Sequence, residues 1–324
     1  MKSSFRIQLF TLAVAVVLLI VKAVEYVITD SVAIYTDALE SIVNVIAALM
    51  GTYSLYIAFA PKDENHPYGH GKIEFITSAL EGAMIVIAGV MMLYHAGISF
   101  IKPHPINRID LGLVLILITG LVNMGVGLFS IKKGKGSNSP VLTASGEHLL
   151  SDTYTTLGIV AGLILFTITK WQWIDGLTAA IFGAYVMLTG FKIIRKSIAG
   201  VMDETDIELV KELAEFLENN RQPNWIDIHN LRVIKYGSSL HIDCHLTLPF
   251  FYTIQEAHDE QDLLNNLISS KFGNRIEMFV HIDSCQEFSC SICIKQDCTK
   301  RKHPLKNTLQ WNWENMTKNQ KHFN

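Results

Sequence analysis

Charge is what this sequence has least of. Only 18% of its 324 residues are Asp, Glu, Lys or Arg, against about 25% in an ordinary soluble domain. The shortfall lies almost entirely in the first 200 residues. The formal net charge of −3 is too small for a nucleic-acid-binding surface or a channel for acidic substrates. No Gly-x4-Gly-Lys-Ser/Thr loop occurs, which sets nucleotide-driven chemistry aside. No His-Glu-x-x-His run occurs either, so a zinc hydrolase of that type is not indicated. Cysteine is nearly absent too, and four of the five cysteines lie within 14 residues near the end. No internal repeat is strong enough to define a repeat fold.

What is abundant is apolar residues, at 49%, with a mean hydropathy of +0.28. A spanning helix needs about 20 mostly apolar residues, and six segments qualify: 5–28, 32–60, 75–101, 111–131, 142–168 and 176–194. The fourth contains no charged residue. The first lacks an evident small-residue cleavage site and runs on through Lys22 and Glu25, so it reads as a retained helix. One set of flanks holds Lys2, Arg6, Lys62, Lys72, Lys132, Lys133, Lys135, Lys192, Arg195 and Lys196, while the alternate set holds only Lys102, Arg108 and Lys170. The positive-inside rule then places both termini in the cytosol of a multi-pass protein, expected in the plasma (inner) membrane.

After Gly200 the pattern changes. Residues 205–220 carry apolar residues at helical spacing. Two strand-like runs follow, 226–236 and 240–248, with Gly237 and Ser238 between them. A helical stretch at 254–270 and a third strand at 275–283 complete a small cytosolic α+β domain. The expected layout is a six-helix transmembrane domain (1–200), an α+β domain of ferredoxin or metallochaperone type (201–284) and a Cys-rich extension (285–324), polar beyond Cys298 and in part disordered.

An ionisable residue at bilayer mid-depth is costly and marks a functional site by default. The second helix offers Asp37, Glu40 and Asn44, and the fifth offers Glu147, His148 and Asp152. Glu40 and Asn44 are four apart, as are His148 and Asp152, so each pair shares a helix face. Together they present three oxygens and one imidazole nitrogen, a set suited to a tetrahedral divalent transition metal. Glu40 and Asp152 balance the charge of such an ion. Metal requires His148 unprotonated, and its ordinary pKa of about 6.5 makes it a place where protons and metal compete. The bland alternative is that these groups only join helices by hydrogen bonds, and for a lone Asn44 or Asp37 it is the preferred one. Asp37 is a secondary candidate as entrance or proton acceptor. Glu81 and Glu25 show no partner in the sequence and read as structural.

The loop after the second helix contains Asp63-Glu-Asn-His66-Pro-Tyr-Gly-His70-Gly-Lys72-Ile-Glu74. It resembles the D-x-x-H-P-x-G-H-x-K-x-E signature of the cation diffusion facilitator family. His148-Leu-Leu-Ser-Asp152 resembles that family's H-x-x-x-D on helix five, and the layout over residues 5–284 is similar throughout. The resemblance implies a homodimeric transporter that exchanges divalent metal for protons by alternating access, with Glu40, Asn44, His148 and Asp152 as its transport site. It implies a second metal position at Asp63, His66 and His70, although Pro67, Gly69 and Gly71 make a tight turn there whatever the histidines do. Lys72 and Asp203 stand where the family has an ion pair between protomers near the membrane surface. Asn44 departs from the family, many of whose members place Asp at that position, so one anionic ligand is lost. Zinc is slightly favoured over iron(II), manganese or cobalt.

In the second cytosolic strand His241, Asp243 and His245 alternate with apolar residues, and in the third His281 and Asp283 do the same. Alternate side chains share a face, so His241, His245, His281 and Asp283 are expected to converge on a regulatory metal site, which His229 and His258 are placed to join. A solvated polar face is the plain alternative. Cys285, Cys290, Cys293 and Cys298 follow the spacing C-x4-C-x2-C-x4-C. In a reducing cytosol a bound metal is favoured over disulfides, with redox-active thiols as runner-up. Cys244 reads as a core residue. The expected partners are metal ions as substrate and regulatory ligand, protons, lipid and a second copy of the chain, with neither nucleic acid nor an organic cofactor. The rival functional reading is a membrane-anchored metal sensor without transport.

Overall fold

The computed structural model describes residues 2–29, 32–101, 110–169, 173–273 and 276–323. The side chains of Glu25, Asp37 and Glu40 lie outside the described set, as do Lys102, Arg108, Lys170 and Arg275. The chain divides into two compact units, 1–202 and 203–324.

The first unit is six α-helices: α1 (Lys2–Thr29), α2 (Val32–Ala58), α3 (Ile73–Ile101), α4 (Asp110–Ser137), α5 (Pro140–Thr169) and α6 (Trp173–Val201). At 1.5 Å per residue each is about 40–45 Å long, longer than the roughly 30 Å hydrocarbon layer. Among the described residues, α1, α2 and α3 contain spans long and apolar enough to cross a membrane. Val17, Ile20, Ile87, Leu121 and Ile181 are exposed on the helix surfaces. Large apolar side chains exposed in such numbers suit a lipid surface rather than water.

Two helix pairs pack through glycine. A Cβ on Gly89 of α3 would fall 2.9 Å from the carbonyl oxygen of Gly183 on α6, and one on Gly190 2.7 Å from that of Gly82. On α4 and α5, a Cβ on Gly146 would fall 2.8 Å from the carbonyl oxygen of Gly127. Small residues let helix backbones approach closely, which supplies the packing that the hydrophobic effect cannot supply in lipid. The Ser139 hydroxyl donates to buried Glu74, pinning the α4–α5 turn to the first turn of α3.

The second unit begins with α7 (Ile207–Asn219), whose N-terminus is capped by Asp206 accepting from the Leu209 amide. Val210, Leu213, Ala214 and Leu217 are its buried stripe, at the i, i+3, i+4, i+7 spacing of an amphipathic helix. Next come β1 (Asp227–Tyr236), β2 (Ser239–Leu248), α8 (Ile254–Phe272) and β3 (Ile276–Ser284). Gly237, at φ +57°, turns β1 into antiparallel β2. A Thr253–Glu256 capping box starts α8, which carries the chain over to β3, parallel to β2. The sheet order is β1-β2-β3. This is the ferredoxin-like order without its leading strand, among the described residues.

Asn230 breaks the register of β1 with a bulge at φ +53°, a conformation Asn tolerates better than most residues. The bulge sets the core residues of β1 at Ile228, Leu231 and Val233, against Leu240, Ile242, Cys244 and Leu246 of β2. Burial pushes the Cys244 thiol up to about 12, as expected of an inert core cysteine.

The C-terminal extension departs from its sequence reading as a partly disordered tail. Trp311 and Met316 are buried in the same core as β1 and β2, and a four-residue helix, α9 (Trp313–Met316), packs on α7 and β1. The Arg221 guanidinium lies 4.0 Å from the Trp311 ring and donates to the carbonyls of Ile226 and Leu309 at 2.6 and 2.7 Å. Polarity misled because two large apolar residues anchor an otherwise hydrophilic segment.

Candidate metal centre

Near the middle of α2 and α5, the Asn44 amide donates to Asp152 Oδ2 at 2.6 Å. Asn44 Oδ1 is buried and has no hydrogen-bond partner among the described residues. A buried acceptor without a donor is costly, and it is the atom an amide offers to a metal. One turn before Asp152, buried His148 places Nε2 3.7 Å from Asp152 Oδ1. The two helices thus bring Asn44, His148 and Asp152 together, as their fourfold spacings implied. Glu40 lies on α2, one turn before Asn44.

Glu81 reverses its sequence reading. Its carboxylate, buried on α3, stands 3.6 Å from His148 Nδ1 and accepts from Ser145 at 3.3 Å. Ser145 in turn accepts from Gln8 of α1 at 3.3 Å. A carboxylate behind a ligating histidine fixes its tautomer and raises its basicity. No spacing within α3 could reveal this, because the partner is on another helix. Glu147, next to His148 in sequence, turns away and pairs with Lys196 at 3.1 Å.

In the loop between α2 and α3, Asp63 Oδ1 accepts from the His66 and Asn65 amides at 2.7 and 3.0 Å. His70 Nε2 stands 3.3 Å from Asp63 Oδ2. The Gly69 amide closes a turn onto the His66 carbonyl at 2.9 Å, with Pro67 at its second position. The ligand atoms of Asp63, His66 and His70 lie within 4.8 Å of one another. Slight desolvation works upward on Asp63, but the His66 hydrogen bonds and the two imidazoles hold it below the usual carboxylate range. Lys72 donates to the Val201 carbonyl at 3.4 Å, and Asp203 has φ +58° at the start of the second unit.

On the sheet, register decides which histidines meet. His229 of β1 pairs with His245 of β2, which pairs with His281 of β3, so the three stand in one row. Asp283 lies one row along the same face, 3.1 Å from His245 Nδ1 and 3.4 Å from His229 Nε2. The ligand atoms of His229, His245 and Asp283 lie within 4.8 Å of one another. His281 is adjacent, its ring 4.6 Å from that of His245.

His241 and His258 do not join them. His241 shares the face but lies four residues from His245, about 13 Å along a strand, and stands instead 3.4 Å from Glu277. His258 is exposed on α8, 3.7 Å from Asp262. Alternation gives the face of each residue but not its row.

Burial lowers the pKa of His229 against the pull of Asp227 and Asp283. Desolvation works upward on Asp283 and is outweighed by His245 and Lys321, which lower it. A neutral imidazole beside an ionised carboxylate is the state a metal ion requires. The extension reaches this site as well. Lys321 lies 3.3 Å from Asp283 Oδ1, and the His322 ring lies 2.7 Å from Asp227 Oδ1. The four late cysteines, all free thiols, line a separate cavity of ≈310 Å³ in the second unit.

Two family models match the chain. "Cation efflux transmembrane domain" covers residues 9–202 and "Cation efflux protein, cytoplasmic domain" covers residues 205–285. An uncharacterized transporter of Synechocystis sp. is 33% identical over 78% of this chain and 81% of its own length. The cation-efflux pump FieF of Shewanella oneidensis is 24% identical over 85% of this chain and 92% of its own. The manganese efflux system protein MneP of Bacillus subtilis is 27% identical over 86% of this chain and 96% of its own. The family consists of transporters rather than enzymes. A helical transmembrane domain, a small α+β domain behind it and both family models covering them make this chain a member of the cation diffusion facilitator family of cation-efflux transporters.

Proposed function

We propose that this cation-efflux protein exports a divalent first-row transition metal in exchange for protons through a site made of Glu40, Asn44, His148 and Asp152. One observation carries the reading: Asn44 of α2 and the His148–Asp152 pair of α5 converge near mid-helix, with a buried amide oxygen left for a ligand. His148, between Glu81 and Asp152, is the group at which a proton and the metal exclude each other. Glu81 orients it without being a ligand.

Zinc ranks narrowly first. Three oxygens beside one nitrogen also suit manganese, iron(II) and cobalt, and one relative is named a manganese efflux protein. The protein works as a homodimer in the plasma membrane with both termini cytosolic, and the Lys72–Asp203 pair joins the protomers. The His229–His245–His281–Asp283 cluster is a regulatory metal site, and the loop triad Asp63–His66–His70 is an accessory one.

The test is purified protein in sealed vesicles with an internal pH dye and a metal dye. Zinc, manganese, iron(II) and cobalt are added singly to the parent and to Asp152→Ala. Metal movement coupled to opposite proton movement, lost in the variant, is the expected result. Metal movement without proton movement would overturn the exchange. No movement of any ion, with metal still bound by the cytosolic cluster, would favour the sensor.

A further inference from the structure

The cytoplasmic-domain match ends at residue 285, so the transport reading does not account for the cysteines that follow. Cys285 leaves the end of β3, Cys290 lies in a 3-10 turn (Glu287–Ser291), and Cys293 and Cys298 follow it. All four line one cavity of ≈310 Å³.

The loop around them is held by a single guanidinium. Arg301 donates to the carbonyls of Cys290, Cys293 and Lys295 at 3.1, 3.0 and 2.7 Å. Cys285 Sγ accepts from the Phe250 amide at 3.4 Å. Apolar anchorage is small, consisting of Ile292 and Cys293 packed on Ile226 with Leu309 alongside. A segment with so little core of its own needs a staple, and a reducing compartment favours metal over disulfide.

We infer that Cys285, Cys290, Cys293 and Cys298 form a structural tetrathiolate site for zinc, which fastens the cysteine loop to the α+β unit ahead of the segment anchored by Trp311 and Met316. The observation behind it is that all four cysteines line one cavity whose charged lining is mostly basic, with Glu287 its one acidic residue. Four thiolates around a divalent ion leave a net charge of −2, and four protons are released as the ion binds. Lys295, Lys300, Arg301 and Lys302 line the same cavity and offset that charge. Thiolate donors favour zinc over harder ions such as manganese. Among the described residues no three of the four sulfurs lie within 4.8 Å of one another, so metal binding has to draw the loop and its thiols together. The site is independent of transport.

The test replaces zinc by cobalt(II) in the reduced, full-length protein, because thiolate-to-cobalt charge-transfer absorption reports sulfur ligands and is silent for sites built from His, Asp, Glu and Asn. One equivalent of cobalt per protomer is expected to give the intense bands of a tetrahedral thiolate site. They should be lost in Cys290→Ser/Cys293→Ser and kept in Asp152→Ala and Asp283→Ala. Added zinc should bleach them. Absence of these bands in protein whose four late cysteines titrate as free thiols after unfolding would overturn the site. So would disulfides in protein isolated without oxidant, or the broad visible absorption of an iron–sulfur cluster.

Discussion

The intramembrane cluster and the sheet-borne cluster use similar side chains but are kept in readiness differently. Asn44, His148 and Asp152 come from two helices, and Glu81 from a third backs His148. Within this cluster the Asn44 amide donates to Asp152, His148 stands between Asp152 and Glu81, and Glu81 accepts from Ser145. The sheet cluster instead shares Asp283 with Lys321, and its neighbour Asp227 with His322. The Lys321 ammonium of the chain's own extension therefore already pairs with one of the cluster's candidate ligands. The first arrangement suits a cargo ion that competes with protons at His148. The second suits a ligand whose binding is felt by the extension, because Lys321 shares with the metal a carboxylate whose other oxygen faces His229 and His245.

Glu81→Gln is the sharpest way to break this contrast. Loss of a carboxylate behind a ligating histidine costs about 10–100-fold in metal affinity or activity. Transport should fall by that factor and its pH dependence should move, while metal binding by the sheet cluster stays unchanged. Equal loss at both sites would make Glu81 a folding residue only.

Lys321→Met should have the opposite sign and act on the other cluster. A partly exposed ion pair is worth about 0.2–1 kcal/mol, so removing the competing ammonium should tighten zinc binding by the sheet cluster ~1.5–5-fold. Titration calorimetry on protein carrying Asp152→Ala reads this without the transport site. Unchanged affinity would mean that Lys321 leaves Asp283 without cost.

The smallest effect is on stability against pH. His229 has a folded pKa below its ordinary value because it is buried. Above about pH 6.5 it is neutral in both folded and unfolded chains, and its contribution is fully present. As pH falls below that value the unfolded chain takes the proton first, so metal-free protein should lose stability between pH 6.5 and the lower folded pKa. Denaturant unfolding followed by the fluorescence of buried Trp225 should show this decline, and His229→Asn should flatten it. An unaltered slope would show that His229 is not the titrating group.

Much of the architecture was legible, and the physical reason is period. Six long apolar runs and an α-β-β-α-β pattern are local properties of the chain, and the i,i+4 pairs Glu40/Asn44 and His148/Asp152 follow from helix geometry alone. Rows across a sheet are different. His229 enters the cluster because the β1–β2 register sets it opposite His245, and His241 stays out because it pairs one turn of the ladder away, opposite Glu277. The polar composition beyond Cys298 reads as partial disorder, yet burial of Trp311 and Met316 decides the fate of that segment.

The sequence by itself determined that the chain has a helical membrane part and an α+β part, which family it resembles, and which helix faces carry the candidate ligands, because periodicity and motif spacing are written along the chain. Tertiary structure decided what lies behind those ligands. Glu81 against His148, Lys321 against Asp283 and four thiols facing one cavity with Arg301 are each made by segments distant in the chain or by a loop without a period. Their meeting depends on helix packing, strand register and loop hydrogen bonds, none of which a local pattern encodes.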